Sequence, residues 1–145
     1  ALESGKVACY VTDFPNDKTL EMKNAIAIPH LGASTPESED NCAIMAASEI
    51  KDFLLNGNIK NSVNFPSVSS ERSTGTRYCI IHKNIPTILN QCTAVLSNGD
   101  RNIDHLTSKF KGDYAYTIVD MTENTNGAIG KELEAIDGVI RVTVL

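Results

Sequence analysis

A chain of 145 residues can hold one ordinary core, or one small domain with part of another, but not two full enzyme domains. With 41% apolar and 21% charged residues it has a water-soluble composition, and no apolar run reaches the roughly 18 residues of a membrane span. A net charge of −5 argues against nucleic acid or anionic membrane as a partner and favours small molecules and proteins.

The opening ALESG reads as the last turn of a helix closed by Gly5, with no helix before it, so the chain is expected to be a piece of a longer one. Residues 6–14 (KVACYVTDF) and 24–31 (NAIAIPHL) are apolar enough for two buried strands, with Pro15, Asn16, Asp17 and Lys18 as a polar turn between them and Pro29 ending the second. Thr35 and Pro36 then suit an N-cap and first helical position, Ser34 and Glu37 fit capping-box spacing, and Glu37, Glu39 and Asp40 lie where the helix dipole favours anions. The helix is predicted to run to about Leu55 and to stop at Asn56, Gly57 and Asn58. Its face of Ala43, Ala46, Ala47, Ile50, Phe53 and Leu54 calls for burial.

Residues 64–76 (NFPSVSSERSTGT) have linker composition, which places a domain boundary there. Beyond it the order is a strand (76–82), a helix with apolar positions Ile88, Cys92 and Val95 closed by Gly99, and two strands around a Gly112-Asp113 turn. A short helix (126–136) and a last strand (138–145) follow. This is βαββαβ, the ferredoxin-like split unit.

Cys9, Cys42, Cys79 and Cys92 form no CxxC pair and sit among apolar residues; buried thiols in a reducing cytoplasm are expected, and no signal-peptide pattern argues for secretion. No G-x-G-x-x-G or G-x-x-x-x-G-K-[ST] loop occurs, and Gly127 and Gly130 read as a helix entrance rather than a nucleic-acid clamp. His105 lies in a strand and carries no role. His82 and Asn84, at a strand-to-helix junction, can offer donors and an acceptor to a small polar ligand, the alternative being turn capping by Asn84. His30 follows a strand and precedes a glycine-led turn, where α/β enzymes place polar groups facing a ligand crevice; spacing alone leaves acid–base and packing roles both open.

GKVACYVTDFPND, IAIPHLGAST and GNIKNSVNFP together resemble the C-terminal third of the D-2-hydroxyacid dehydrogenases that oxidise 3-phosphoglycerate, and RYCIIHKNIPTILNQCTAVLSNGDRNI resembles their ACT domain. The resemblance implies an α/β chain. Residues 1–63 would be the tail of a nucleotide-binding domain with its crossover helix, 64–76 a linker, and 77–145 a βαββαβ ferredoxin-like ACT domain. It also implies hydride transfer to NAD in L-serine biosynthesis, with most of the cofactor site upstream, so that this fragment alone has no activity.

By the same resemblance His30 is the acid–base residue, and His30, Leu31, Gly32 and Ala33 line the nicotinamide side. The family pattern Leu-Asp-Val-Phe-x-x-Glu-Pro meets VTDFPNDK here. Thr12 stands at the Asp position, which passes the cofactor contact to Asp13, and Asp17 stands for the Glu that orients the histidine. His82, Asn84 and Asn102 would bind L-serine or a similar amino acid at the subunit interface of a homo-oligomer, and Thr87 replaces a glycine of that turn. The rival expectation is a stand-alone amino-acid-sensing or dimerisation module without catalysis.

Overall fold

The computed structural model of the chain describes residues 1–125 and 127–145. They divide into two compact units, Ala1–Ile44 and Met45–Leu145.

In the first unit β1 (Tyr10–Thr12) and β2 (Ala25–Ala27) pair in parallel, with Val11 opposite Ile26. Between them the expected polar turn is a short helix, α1 (Asp17–Glu21), because Asn16 acts as its N-cap: its Oδ1 accepts from Thr19 N–H at 2.9 Å. The burial expected of the two strands is not found. Tyr10, Val11 and Ile26 are exposed, since a two-stranded sheet has no second layer to cover either face. Cys9, next to β1, and Cys42, in the segment 36–56, are exposed as well, which corrects the expectation of four buried thiols; Cys79 and Cys92 are buried.

Helix α2 (Pro36–Asn56) crosses the division between the units. Thr35 caps it, Oγ1 accepting from Ser38 N–H at 3.3 Å, and Gly57 at φ 72° ends it. None of its residues is buried: Ile50, Phe53 and Leu54 are exposed, so the predicted apolar face exists but is not buried by the described residues. At its C-terminus Asp52 accepts from Asn56 Nδ2 (2.8 Å) and Asn58 Nδ2 (3.0 Å) and pairs with Lys60 Nζ (3.3 Å). These partners, the Asn56 bond foremost, hold the Asp52 carboxyl below its ordinary value. A depressed carboxyl stabilises the fold above its unfolded pKa of about 3.9, and the contribution is lost as pH falls through the lower native value. Asp52→Asn is therefore expected to cost about 1 kcal/mol near neutral pH and progressively less as pH falls through the lowered native value; urea unfolding followed from neutral to acid pH measures the trend.

The second unit is the predicted βαββαβ: β3 (Arg77–Lys83), α3 (Ile88–Leu96), β4 (Ile103–Lys111), β5 (Tyr114–Met121), α4 (Ala128–Glu134) and β6 (Val139–Val144). Asn126, where the sequence places the start of the second helix, lies outside the described residues. The strands form one antiparallel sheet in the order β4-β5-β3-β6, leaving β4 and β6 as edges.

Tyr78 and Ile80 of β3 and Val119 and Met121 of β5 pack against Ile88, Cys92 and Leu96 of α3 and Ile129 and Leu133 of α4. Each such aliphatic side chain contributes roughly 1.5–3 kcal/mol through burial. The opposite face carries a second cluster of Cys79, Tyr116 and Ile118, covered by Ile59 and Val68. Gly57 lies against this face: a Cβ there would overlap Cys79 Sγ, and the Gly57 carbonyl accepts from Tyr116 Oη at 2.6 Å. Burial raises both the Cys79 thiol and the Tyr116 phenol, so each stays protonated.

Arg77 is wholly buried, and its guanidinium has an acceptor for every N–H. Nε and Nη2 grip Asp120 at 2.6 and 2.7 Å, Nη2 also reaches Glu71 O at 2.7 Å, and Nη1 reaches Asn56 O at 2.7 Å and Ser70 O at 3.2 Å. The end of α2, the segment over 64–76 and the sheet are thereby joined at one side chain. The sequence gives no hint of this role, because an arginine at a strand's first position has the same pattern whether it faces water or a buried carboxylate.

Candidate functional site

In the first unit His30 follows β2 and turns its ring to the loop after β1. Its Nδ1 donates to Asp13 Oδ2 at 2.7 Å, and the Phe14 ring lies against it at a centroid distance of 4.5 Å, tilted by 53°. The pair is open to solvent, His30 at 56% and Asp13 at 44% side-chain exposure. Because a carboxylate only accepts, this bond places the proton on Nδ1 and leaves Nε2 with a lone pair in the neutral ring.

The carboxylate that meets His30 is therefore Asp13. Asp17, expected to orient the histidine, lies instead in the first turn of α1, where it faces the positive end of that helix. Thr12 contributes differently, its Oγ1 accepting from Phe14 N–H at 3.2 Å and so shaping the loop that carries Asp13. Leu31, Gly32 and Ala33 follow His30 as an exposed turn, and a Cβ on Gly32 would meet nothing within 4 Å. Phe14 was not singled out in the sequence; only its place beside Asp13 could have pointed to it.

In the second unit the three residues expected to hold an amino acid do not converge within one chain. His82 is 2% exposed, on the helix-facing side of β3 beside a register shift in the β3–β6 ladder. Its Nδ1 donates to Lys83 O at 2.8 Å, and its Nε2 meets Thr117 Oγ1 at 2.8 Å. In the neutral ring Nε2 accepts from the Thr117 hydroxyl, which in turn accepts from Ser108 Oγ at 2.7 Å. A hydrogen-bonded row thus runs across three strands and uses both ring nitrogens.

Asn84 is exposed just beyond β3; its N–H donates to Asp113 O at 2.8 Å and its Nδ2 to Gly112 O at 3.4 Å, fixing the turn to the β4–β5 hairpin. Asn102 stands at the other end of the sheet, bonded through Nδ2 to Thr122 Oγ1 at 3.1 Å. Since Arg77 pairs with Asp120 at that end and Lys83 with Tyr114 at this one, Asn102 is roughly 15–20 Å from His82 along the strands.

Thr87 occupies the left-handed region (φ 69°, ψ −10°) at the entrance to α3, a conformation that glycine adopts without strain. A β-branched residue there is strained. Thr87→Gly is expected to raise stability by about 0.5–1 kcal/mol, net of glycine's greater freedom when unfolded. A thermal midpoint equal to or below the parent's would refute the strain.

His105 is exposed, its Nε2 bonding Thr107 Oγ1 at 2.7 Å. Among the described residues no group of three His, Cys, Asp or Glu side chains is placed to hold a metal ion. No described helix is long and apolar enough to cross a membrane.

Residues 77–145 define the class: a ferredoxin-like βαββαβ fold, here preceded by a parallel strand pair that carries a histidine–aspartate couple. The particular protein it resembles is D-3-phosphoglycerate dehydrogenase, to which the chain is related in sequence over most of its length. It is 34% identical over 126 residues to the D-3-phosphoglycerate dehydrogenase of Haemophilus influenzae, a match covering 86% of this chain and 31% of that protein. It is 32% identical over 131 residues to a putative D-3-phosphoglycerate dehydrogenase of Schizosaccharomyces pombe, covering 85% and 28%. Among solved structures it is similar to the ACT domain from a GTP pyrophosphokinase of Chlorobium tepidum, with 22% identity, a TM-score of 0.43, and coverage of 48% of this chain and 95% of that one. No family model matches the chain. The chain spans about a third of the length of the curated relatives it matches.

Proposed function

We propose that this chain is part of a cytoplasmic, NAD-dependent D-3-phosphoglycerate dehydrogenase, contributing the acid–base histidine and an amino-acid-binding regulatory domain. The observation that carries the proposal is the His30–Asp13 pair, set directly after a parallel strand in a chain similar to these enzymes. His30 Nε2 would take the proton of the substrate's 2-hydroxyl as the hydrogen on the same carbon leaves as hydride, converting the alcohol to a ketone. Asp13 would hold the tautomer that leaves Nε2 able to accept and would stabilise the imidazolium that forms.

NAD, when bound, supplies the hydride acceptor. The residues present fit its nicotinamide end only, with open space at Gly32 and an exposed turn through Leu31 and Ala33. No glycine-rich phosphate loop occurs in the 145 residues, so the chain alone is proposed to lack measurable NAD affinity and activity.

For the ACT domain we propose L-serine or a similar amino acid as ligand, and a second copy of the domain as partner. Strand β4 pairs with β5 on one side only, and among the described residues no strand lies along its outer edge. A two-fold pairing of β4 with its copy would bring the copy's start of β4, and so its Asn102, to the end of the sheet where His82 and Asn84 lie.

The test is NADH formation from 3-phosphoglycerate by the full-length protein, with and without L-serine. No NADH overturns the dehydrogenase reading. Activity that ignores millimolar L-serine, together with a monomeric ACT domain in sedimentation, overturns the regulatory one.

A further inference from the structure

Where β3 turns into α3, a cavity of about 330 Å³ is lined by Lys83, Asn84, Ile85, Asp113 and Tyr114. Lys83 is the last residue of β3 and lies directly opposite Tyr114 of β5, so both side chains leave the same face of the sheet. Asp113 belongs to the β4–β5 hairpin turn. The two bonds from Asn84 to Asp113 O and Gly112 O clamp that hairpin to the β3–α3 turn.

The backbone around the cavity is thus fixed, while its charged groups are not committed. Lys83 and Asp113 are exposed, and neither enters an ion pair among the described residues. His82, one residue before Lys83, has both ring nitrogens engaged elsewhere and is buried, so it offers this cavity no polar atom. A cation and an anion that line one cavity, neither of them in an ion pair among the described residues, match a ligand that carries both charges on one carbon.

We propose that Lys83 and Asp113 bind the two charged ends of a free α-amino acid. The Lys83 ammonium takes the carboxylate, and the Asp113 carboxylate takes the ammonium. Asn84 Oδ1, not used in the bond to Gly112, faces a ligand hydroxyl, and Ile85 and Tyr114 supply apolar wall. The proposal rests on the reading of this domain as amino-acid-binding and assigns recognition of the zwitterion to two residues which that reading does not include.

The experiment is calorimetric titration of the full chain with L-serine, L-serinamide and L-glycerate, which keep one size while removing the carboxylate charge or the ammonium. The parent is expected to bind L-serine at least tenfold more tightly than either analogue. Lys83→Met should abolish the preference over serinamide and keep that over glycerate, and Asp113→Asn should do the reverse. A merely destabilised domain would not produce this crossed pattern. If both variants bind L-serine with the parent's affinity and preferences, the assignment to Lys83 and Asp113 is overturned while the amino-acid reading stands. If the parent binds none of L-serine, glycine and L-valine, that reading fails and the assignment with it.

Discussion

Arg77→Ala is expected to cost about 3–5 kcal/mol, the range found when one partner of a buried ion pair is removed. Set against a typical domain stability of about 5–15 kcal/mol, that is a third or more of the total. The reason is the number of groups left without a partner. The Asp120 carboxylate would stay buried with its charge uncompensated, and the carbonyls of Asn56, Ser70 and Glu71 would each lose a donor.

Arg77→Lys should recover little, because a single ammonium cannot reproduce a fork that spans a carboxylate and three carbonyls. The double replacement Arg77→Met with Asp120→Leu removes the stranded charge and should regain part of the loss, with the three carbonyls accounting for the remainder. Denaturant unfolding of the three variants checks this. An Arg77→Ala protein within 1 kcal/mol of the parent would show that the five-bond arrangement is not stabilising.

His30→Ala, made in a full-length enzyme carrying this segment, is expected to lower kcat by about 10²–10⁴-fold, the usual contribution of a positioned acid–base group. Asp13→Asn should cost less and should also displace the pH–rate profile, since Asp13 acts through the imidazole rather than on the substrate. Asp17→Asn should change little, because Asp17 serves the start of α1. The family pattern ranks the two carboxylates the other way, so the comparison is decisive. If Asp17→Asn impairs turnover more than Asp13→Asn does, the pairing at 2.7 Å is not the working arrangement.

Residues 77–145 were legible because each element carries its own signal. The aromatic and β-branched run in 114–121, the spacing of Ile88 and Cys92, and the glycines at 99 and 112 each agree with the final fold. Local pattern failed where the outcome depends on what lies across space. Asn16 and Asp17 are turn formers and helix starters alike, and only the bond from Thr19 N–H to Asn16 decides for the helix. Val11 and Phe53 have core chemistry, yet burial requires a second surface that their own segments cannot reveal. His82 was legible as a histidine at a junction, but the row through Thr117 and Ser108 that occupies it joins three strands, and no spacing along the chain encodes such a row.

Residues 64–76 have the composition of a tether, yet Val68 is fully buried, and it exchanges both backbone bonds with Ile59, at 2.8 and 3.0 Å. A polar, proline-bearing stretch of this kind would ordinarily be where a protease enters and where amide hydrogens exchange within seconds. Here the scissile bonds around Val68 cannot enter a protease's active site as an extended strand until the Ile59 ladder opens. The amides of Ile59 and Val68 should then exchange with deuterium at the pace of the sheet they cover, so a map of protected amides would draw the edge of the cooperative unit well before the first residue of β3.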